Sequence, residues 1–234
     1  MQPLTLSLPS LETWVARVFR GAGLDEDSAV LAAKRLLLAD ITGVRTHGIA
    51  RLPSYWHQLG KGGLNAKPAI ADTWRGSVLV IDADLGLGQV VGPRAFALAL
   101  DALGPARSFV PFIIRNAGHL GALGSHLFEV AERGKIAFLS QVTQPVMSPV
   151  GATQPAIGNN PIAFGAPRPD GPPFVIDFAM SNVARARSTS RYGTGYRSRT
   201  AGRSTKPAFR QQIRLPPSRA RSSRWLVTKG SRSR

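Results

Sequence analysis

Two of the four histidines stand where an imidazole has chemistry to do. His47 lies in Arg45-Thr46-His47-Gly48-Ile49-Ala50-Arg51, a polar junction leading into an apolar-periodic helix. An imidazole exchanges a proton near neutral pH, which few unperturbed side chains do. Arg51 stands four residues on, a spacing that shares a helix face with His47, and its planar fork suits a carboxylate. The same residues also permit a plain helix start, with Thr46 as cap, His47 in the first turn and Arg51 as a solvated charge. His119 lies in Asn116-Ala117-Gly118-His119-Leu120-Gly121-Ala122-Leu123-Gly124, directly after a strand-like run. Glycines between a strand and a helix let the backbone approach an anion, although a tight turn alone would account for them.

Neither Gly118-His119-Leu120-Gly121-Ala122-Leu123-Gly124 nor Gly86-Leu87-Gly88-Gln89-Val90-Val91-Gly92 has the spacing of the dinucleotide fingerprint, so no Rossmann fold is expected. Gly158-Asn159-Asn160-Pro161-Ile162-Ala163-Phe164 reads as a polar turn feeding a strand. Asp177 ends an apolar run, where α/β proteins place ligand-contacting residues. An acid there can orient a histidine, bind ribose hydroxyls or cap the next helix. His57 and His126 sit inside helical patterns and read as structural or exposed. No His/Asp/Glu group has metal-ligand spacing, so no metal is expected, and the Gly-x-Ser-x-Gly elbow of hydrolases is missing.

The elements that must hold these residues follow from periodicity. Apolar positions predict a helix through Leu11, Trp14, Val15, Val18 and Phe19, with Ser10 as its cap. A second is predicted from about Asp27 to Leu38, with the acidic run 25–27 at its positive end, and a third from Ile49 to Leu59. Beyond these the pattern shortens to strands at Ser77–Ile81, Phe109–Ile114, Ile136–Val142 and Phe174–Ile176, with helices at Gln89–Leu103 and Ser125–Arg133. The fold class is α/β, α+β-like, with a mainly helical segment over 1–63 and an α/β part over 64–184.

Composition divides the chain again. Of 30 Lys and Arg, 15 fall in residues 1–184 beside all 13 Asp and Glu; residues 185–234 hold the other 15 and no acid. There is no cysteine, which excludes disulfides and thiolate chemistry. The start lacks the basic and apolar regions of a signal peptide, and no apolar run reaches membrane-spanning length, so a cytoplasmic protein is expected.

Taken in order, several segments resemble the malate/L-lactate dehydrogenase family, a non-Rossmann group that includes ureidoglycolate and sulfolactate dehydrogenases. They are Ala39 to Pro53, Gly60-Lys61-Gly62-Gly63, Gly88-Gln89, Asn116 to Gly121, Gly158 to Phe164, and Ile176-Asp177-Phe178-Ala179-Met180-Ser181. The resemblance covers about the first 185 positions. It implies hydride transfer between NAD or NADP and a small 2-hydroxy or 2-oxo acid, by a homodimer. It makes His119 the proton acceptor and His47 a second catalytic residue that, with Arg51, holds or protonates the substrate, with Thr46 also binding it. Thr143, Asp177, Phe178 and Ala179 would contact the nicotinamide cofactor, and the turn Gly121-Ala122-Leu123-Gly124 its phosphates. Thr46, Leu120 and Asn159 stand where the family commonly has Ser, Phe and Thr.

After Ala184 the resemblance stops. The family continues Ala-Arg-Gly-Lys, whereas this chain reads Ala184-Arg185-Ala186-Arg187-Ser188. Loss of one base at the Gly codon turns the first reading into the second. Shifting Arg191 to Gly202, Ala208 to Arg214 and Trp225 to Ser231 back by one base yields family-like segments in order. A GC-rich gene read out of frame also gives Arg, Ser, Pro and Gly with almost no acids. Residues 185–234 are therefore expected to be out of frame and unstructured, leaving a truncated, impaired enzyme. The alternative is a basic protein that binds nucleic acid through the same Arg-rich tail.

Overall fold

The structure is a computed structural model and describes residues 6–180. The expectations for the basic tail lie outside the described residues. Three helices come first: α1 (Leu8–Gly21), α2 (Glu26–Ile41) and α3 (Leu52–Gly60). Helix α1 begins earlier than predicted, because Ser7 rather than Ser10 is its cap. The Ser7 hydroxyl accepts the Ser10 amide, and Pro9 suits the first turn. Asp25 caps α2 in the same way, accepting the Ser28 amide at 2.8 Å. The three helices bury one apolar cluster, with Phe19, Leu36, Leu52, Tyr55 and Leu59 among its members.

The third predicted helix does not start at Ile49. Two 3-10 turns, Arg45–His47 and Ile49–Arg51, precede α3, hinged at Gly48. The hinge is locked from beneath by Asp40 of α2, whose carboxylate accepts the Ile49 amide at 2.7 Å. A Cβ on Gly48 would overlap that carboxylate, so the chain crosses α2 where only glycine fits.

Among the described residues, six strands form two sheets. In the first, β1 (Ala71–Arg75) pairs antiparallel with β2 (Val78–Asp82), which pairs parallel with β3 (Phe112–Arg115). Strand β1 was not predicted: every residue of Ala71-Asp72-Thr73-Trp74-Arg75 is exposed, so no apolar alternation announces it. Helix α4 (Gly88–Asp101) makes the crossover from β2 to β3. The second sheet is antiparallel in the order β4 (Ala137–Ser140), β5 (Ile162–Ala166), β6 (Phe174–Phe178). Helix α5 (Gly124–Glu132) packs on it, with Leu123, Leu127 and Val130 meeting Leu139, Ala163 and Val175.

Parallel pairing sends β2 and β3 out of the sheet on the same side, and this places the second histidine. The two exit loops are stitched together. The Leu85 amide donates to the Asn116 carbonyl at 2.7 Å, and the Gly118 amide to the Gly86 carbonyl at 2.9 Å. Asn116 takes a left-handed backbone (φ 53°), and its side-chain amide donates to both oxygens of Asp82. His119 leaves this knot pointed toward α3. No helix among the described residues is long and apolar enough to cross a membrane.

Candidate functional site

The two histidines singled out from the sequence meet. The rings of His47 and His119 stack with centroids 5.5 Å apart and planes 19° from parallel. They come from opposite parts of the chain: His47 from the 3-10 turn behind Gly48, His119 from the loop after β3. Arg51 joins them, although not as helix neighbour to His47, since Gly48 breaks the helix between the two. Its guanidinium lies 5.8 Å from the Tyr55 ring centroid, close enough to His47 and His119 to disfavour their protonation. Thr46 caps no helix; its hydroxyl is in hydrogen-bond contact with Nδ1 of His47 at 2.9 Å.

Tyr55 and Gln89 complete the cluster, and the motif reading overlooked both. The Tyr55 hydroxyl is 3.0 Å from Nδ1 of His119, and the Gln89 side-chain amide donates to the Tyr55 oxygen at 2.9 Å. The Gly121 amide also donates to Nδ1 of His119, at 3.2 Å. Tyr55 had a signal in the sequence, because it follows Arg51 by four residues on the inward face of α3. Gln89 stood in the family-like pair Gly88-Gln89, but that pair gave it no role; its role depends on where α4 begins. A Cβ on Gly88 would overlap the His119 backbone, so α4 starts in direct contact with the histidine loop.

Burial governs the protonation of this cluster. Removal from water holds both His47 and His119 down at about 4, and the Arg51 charge pushes each further the same way. Both are therefore neutral at pH 7. Burial pushes the Tyr55 hydroxyl up, so it too is neutral. His126, read from the sequence as structural or exposed, is fully buried, with Nε2 2.8 Å from the Leu120 carbonyl, and burial likewise lowers it to about 4. His57 is exposed on α3.

The expected cofactor residues form a second group, joined to the first by the loop that carries His119. Asp177 lies inside β6 rather than at its end. Its carboxylate accepts the Gly124 amide at 2.8 Å, at the start of α5. Burial raises its pKa, opposed by the Gly124 and Leu123 amides. Gly121, Ala122, Leu123 and Gly124 are all buried, so the anion held at this helix start is the protein's own carboxylate. Thr143 is bound to the polar turn: its hydroxyl donates to Asn159 at 2.8 Å and its amide to Asn160 at 3.1 Å. The Met180 amide donates to the Asn159 carbonyl at 2.9 Å, which draws Phe178 and Ala179 past the same turn. No group of three His, Asp or Glu that could hold a metal occurs among the described residues.

The malate/L-lactate dehydrogenase family profile matches residues 6–195, which include both groups. The chain belongs to this family. Its relatives include the malate dehydrogenase of Pyrococcus horikoshii, 37% identical over 174 residues that make up 74% of this chain and 48% of that protein. The L-sulfolactate dehydrogenase of Methanocaldococcus jannaschii is 34% identical over 73% of this chain and 49% of its own length. The delta(1)-pyrroline-2-carboxylate/delta(1)-piperideine-2-carboxylate reductase of Pseudomonas syringae pv. tomato is 35% identical over 77% and 52%. The solved Pyrococcus horikoshii structure superposes with a TM-score of 0.74 at 34% identity, covering 79% of this chain and 53% of that one. The chain thus spans about half the length of the curated relatives it matches. The α/β fold with its helical N-terminal segment is that of the family.

Proposed function

We propose that this chain carries the acid–base and carboxylate-binding part of an NAD(P)-dependent oxidoreductase acting on small 2-hydroxy and 2-oxo acids. The observation that carries the reading is the stacked pair of neutral imidazoles with Arg51 beside it. A 2-oxo acid needs one cation for its carboxylate and one proton source at its carbonyl oxygen. Arg51 supplies the first. His119 supplies the second from its doubly protonated form, reached once substrate is bound, is left neutral, and takes the proton back at the same nitrogen in the oxidation direction, while His47 and Thr46 hold the substrate against it. Relatives are named for malate, sulfolactate and cyclic imino carboxylates. What those acids share is a carboxylate next to the reacting carbon, the part that Arg51 recognises.

Binding of the anion and of a proton favour one another here. A carboxylate on Arg51 offsets the charge that holds His47 and His119 down, so both bind protons more readily once substrate arrives.

The residues around β6 fit a nicotinamide ring and its carboxamide. Strand β6 pairs with β5 on one side only, so among the described residues its other edge offers backbone donors and acceptors. Thr143 follows β4, across β5 from β6, and Ala179 follows β6 itself; both lie by the Asn159–Asn160 turn. Thr143, Asp177, Phe178 and Ala179 would hold NAD(P), which would supply the hydride chemistry, with the 121–124 turn as the backbone link between the two groups. A homodimer in the cytoplasm completes this reading.

The chain itself is proposed to be impaired beyond Ala184, by a frameshift. The test is a gene restored to the family's reading frame after codon 184, assayed with NAD and NADP on malate, lactate and related acids. Turnover on at least one acid is expected; none across the panel overturns the reading. Salt-dependent DNA binding that disappears on deleting 185–234 would instead favour the basic-tail alternative.

A further inference from the structure

We propose that Tyr55 and Gln89 are positioning residues that lock His119 in the tautomer carrying its proton on Nε2. The proposal deepens the dehydrogenase reading and rests on it for its consequence, but not for its geometry.

The Gly121 backbone amide only donates, and it points at Nδ1 of His119 from 3.2 Å. Nδ1 must then present its lone pair, and the neutral ring keeps its proton on Nε2. That assignment sets the direction of every bond behind it. The Tyr55 hydroxyl, 3.0 Å from the same Nδ1, donates to it. With its proton spent there, the Tyr55 oxygen must accept, and the group facing it at 2.9 Å is the donating side-chain amide of Gln89. The result is a one-way chain, Gln89 to Tyr55 to His119, whose dipoles reinforce one another in a buried setting. A reversed chain would need a proton on Nδ1 facing the Gly121 amide, which is repulsive.

The surroundings are built to hold this chain. Tyr55 and Gln89 are both fully buried, so neither finds water as an alternative partner. Gly121 takes a left-handed backbone (φ 81°), and a Cβ there would come within 2.7 Å of the Gln89 amide nitrogen. Gly88, the neighbour of Gln89, lies directly against the His119 backbone. The two glycines bring loop and helix close enough for the three side chains to join.

Its consequence is directional. In the unliganded neutral ring, with Nδ1 occupied by two donors, Nε2–H is the group His119 presents to a ligand, and it meets an acceptor atom; a further proton taken up with substrate goes to Nδ1 and displaces this lock. The unliganded site is thus set for a carbonyl oxygen or imine nitrogen next to a carboxylate.

The experiment is two-bond proton–nitrogen correlation NMR on the full chain near pH 7, with His119 assigned by the signals missing in His119→Asn. The expected result is a neutral ring protonated on Nε2. Tyr55→Phe should weaken the preference about tenfold or more, the worth of one buried hydrogen bond. Gln89→Glu should draw the Tyr55 proton away and raise the pKa of His119. This second variant also decides the matter if Tyr55→Phe does not fold, as judged by circular dichroism. A proton on Nδ1, or an Nε2 preference unchanged in whichever variants fold, overturns the proposal. Titration of the frame-restored protein with NADH and NADPH, with the tautomer read on it in the same way, separates the two levels. An expected tautomer without nucleotide binding counts against the dehydrogenase reading alone; binding with the wrong tautomer counts against the lock alone.

Discussion

The helical cradle around Tyr55 and the sheet of β4, β5 and β6 treat apolar surface in opposite ways. In the cradle, α1, α2 and α3 close over Phe19, Leu36 and Tyr55, and the Tyr55 hydroxyl inside is bonded to both His119 and Gln89. Among the described residues, the sheet is covered on only one face. Ala137, Leu139, Ala163 and Val175 pack under α5, while Phe138, Phe164 and Ile176, aligned across the three strands by register, are exposed on the other. Phe174 and Phe178 extend that uncovered row. The difference teaches that the two halves of the proposed site do not stand equally on their own. The acid–base group is complete within the described residues, whereas the cofactor side leans on a sheet with an open apolar face.

Variants can break or sharpen this contrast. The largest effect is expected from His119→Asn in the frame-restored protein. Turnover should fall by about 10²–10⁴-fold, as for loss of a general acid–base, with nucleotide affinity changed only a few-fold. Comparable losses of both would erase the distinction between the two groups. Arg51→Leu should raise the KM for 2-oxo acids by about 10–100-fold, the worth of a charge-assisted bidentate contact, with a smaller change in kcat. Steady-state kinetics reads both.

Acid should attack the cradle first. His47, His119 and His126 are held at about 4 in the folded chain, below their ordinary value of 6.5. The unfolded chain therefore binds more protons between those limits. The stability these groups contribute is present above pH 6.5 and is lost as pH falls toward 4. Urea midpoints across that range should decline, and His126→Gln should blunt the decline. Gly88→Ala should cost about 1–3 kcal/mol through overpacking against the His119 backbone, visible as a lowered melting temperature. The smallest effect on stability, under about 0.5 kcal/mol, is expected from Phe138→Lys on the open sheet face. Binding of the apolar dye ANS should nonetheless fall in that variant.

Much of this was legible in the sequence, for identifiable reasons. Helices α1 and α2 showed themselves through strong apolar periodicity, and His47, Arg51 and His119 through residue type beside glycine. The junction at 45–51 was misjudged in detail because Asp40, nine residues before Ile49, breaks the helix by capturing the Ile49 amide, a tertiary contact that no local spacing encodes. Strand β1 has no buried residue to mark it. Gln89 looked like an ordinary first-turn residue, and only the left-handed backbone at Gly121 makes room for it beside His119. The Gly121–Gly124 turn resembled a phosphate cradle, yet its Gly124 amide is held by Asp177, 53 residues on.

The central claim is that Arg51, His47 and His119 form one site for an anion and a proton. Its most direct test is calorimetry of oxamate, a 2-oxo acid mimic, binding to the full chain with NADH or NADPH present, repeated between pH 5 and 7 in buffers of different ionisation heat. The account predicts proton uptake on binding, tighter binding at the lower pH, and loss of both in Arg51→Leu. Heats independent of buffer at every pH, or binding unchanged in Arg51→Leu, would contradict it.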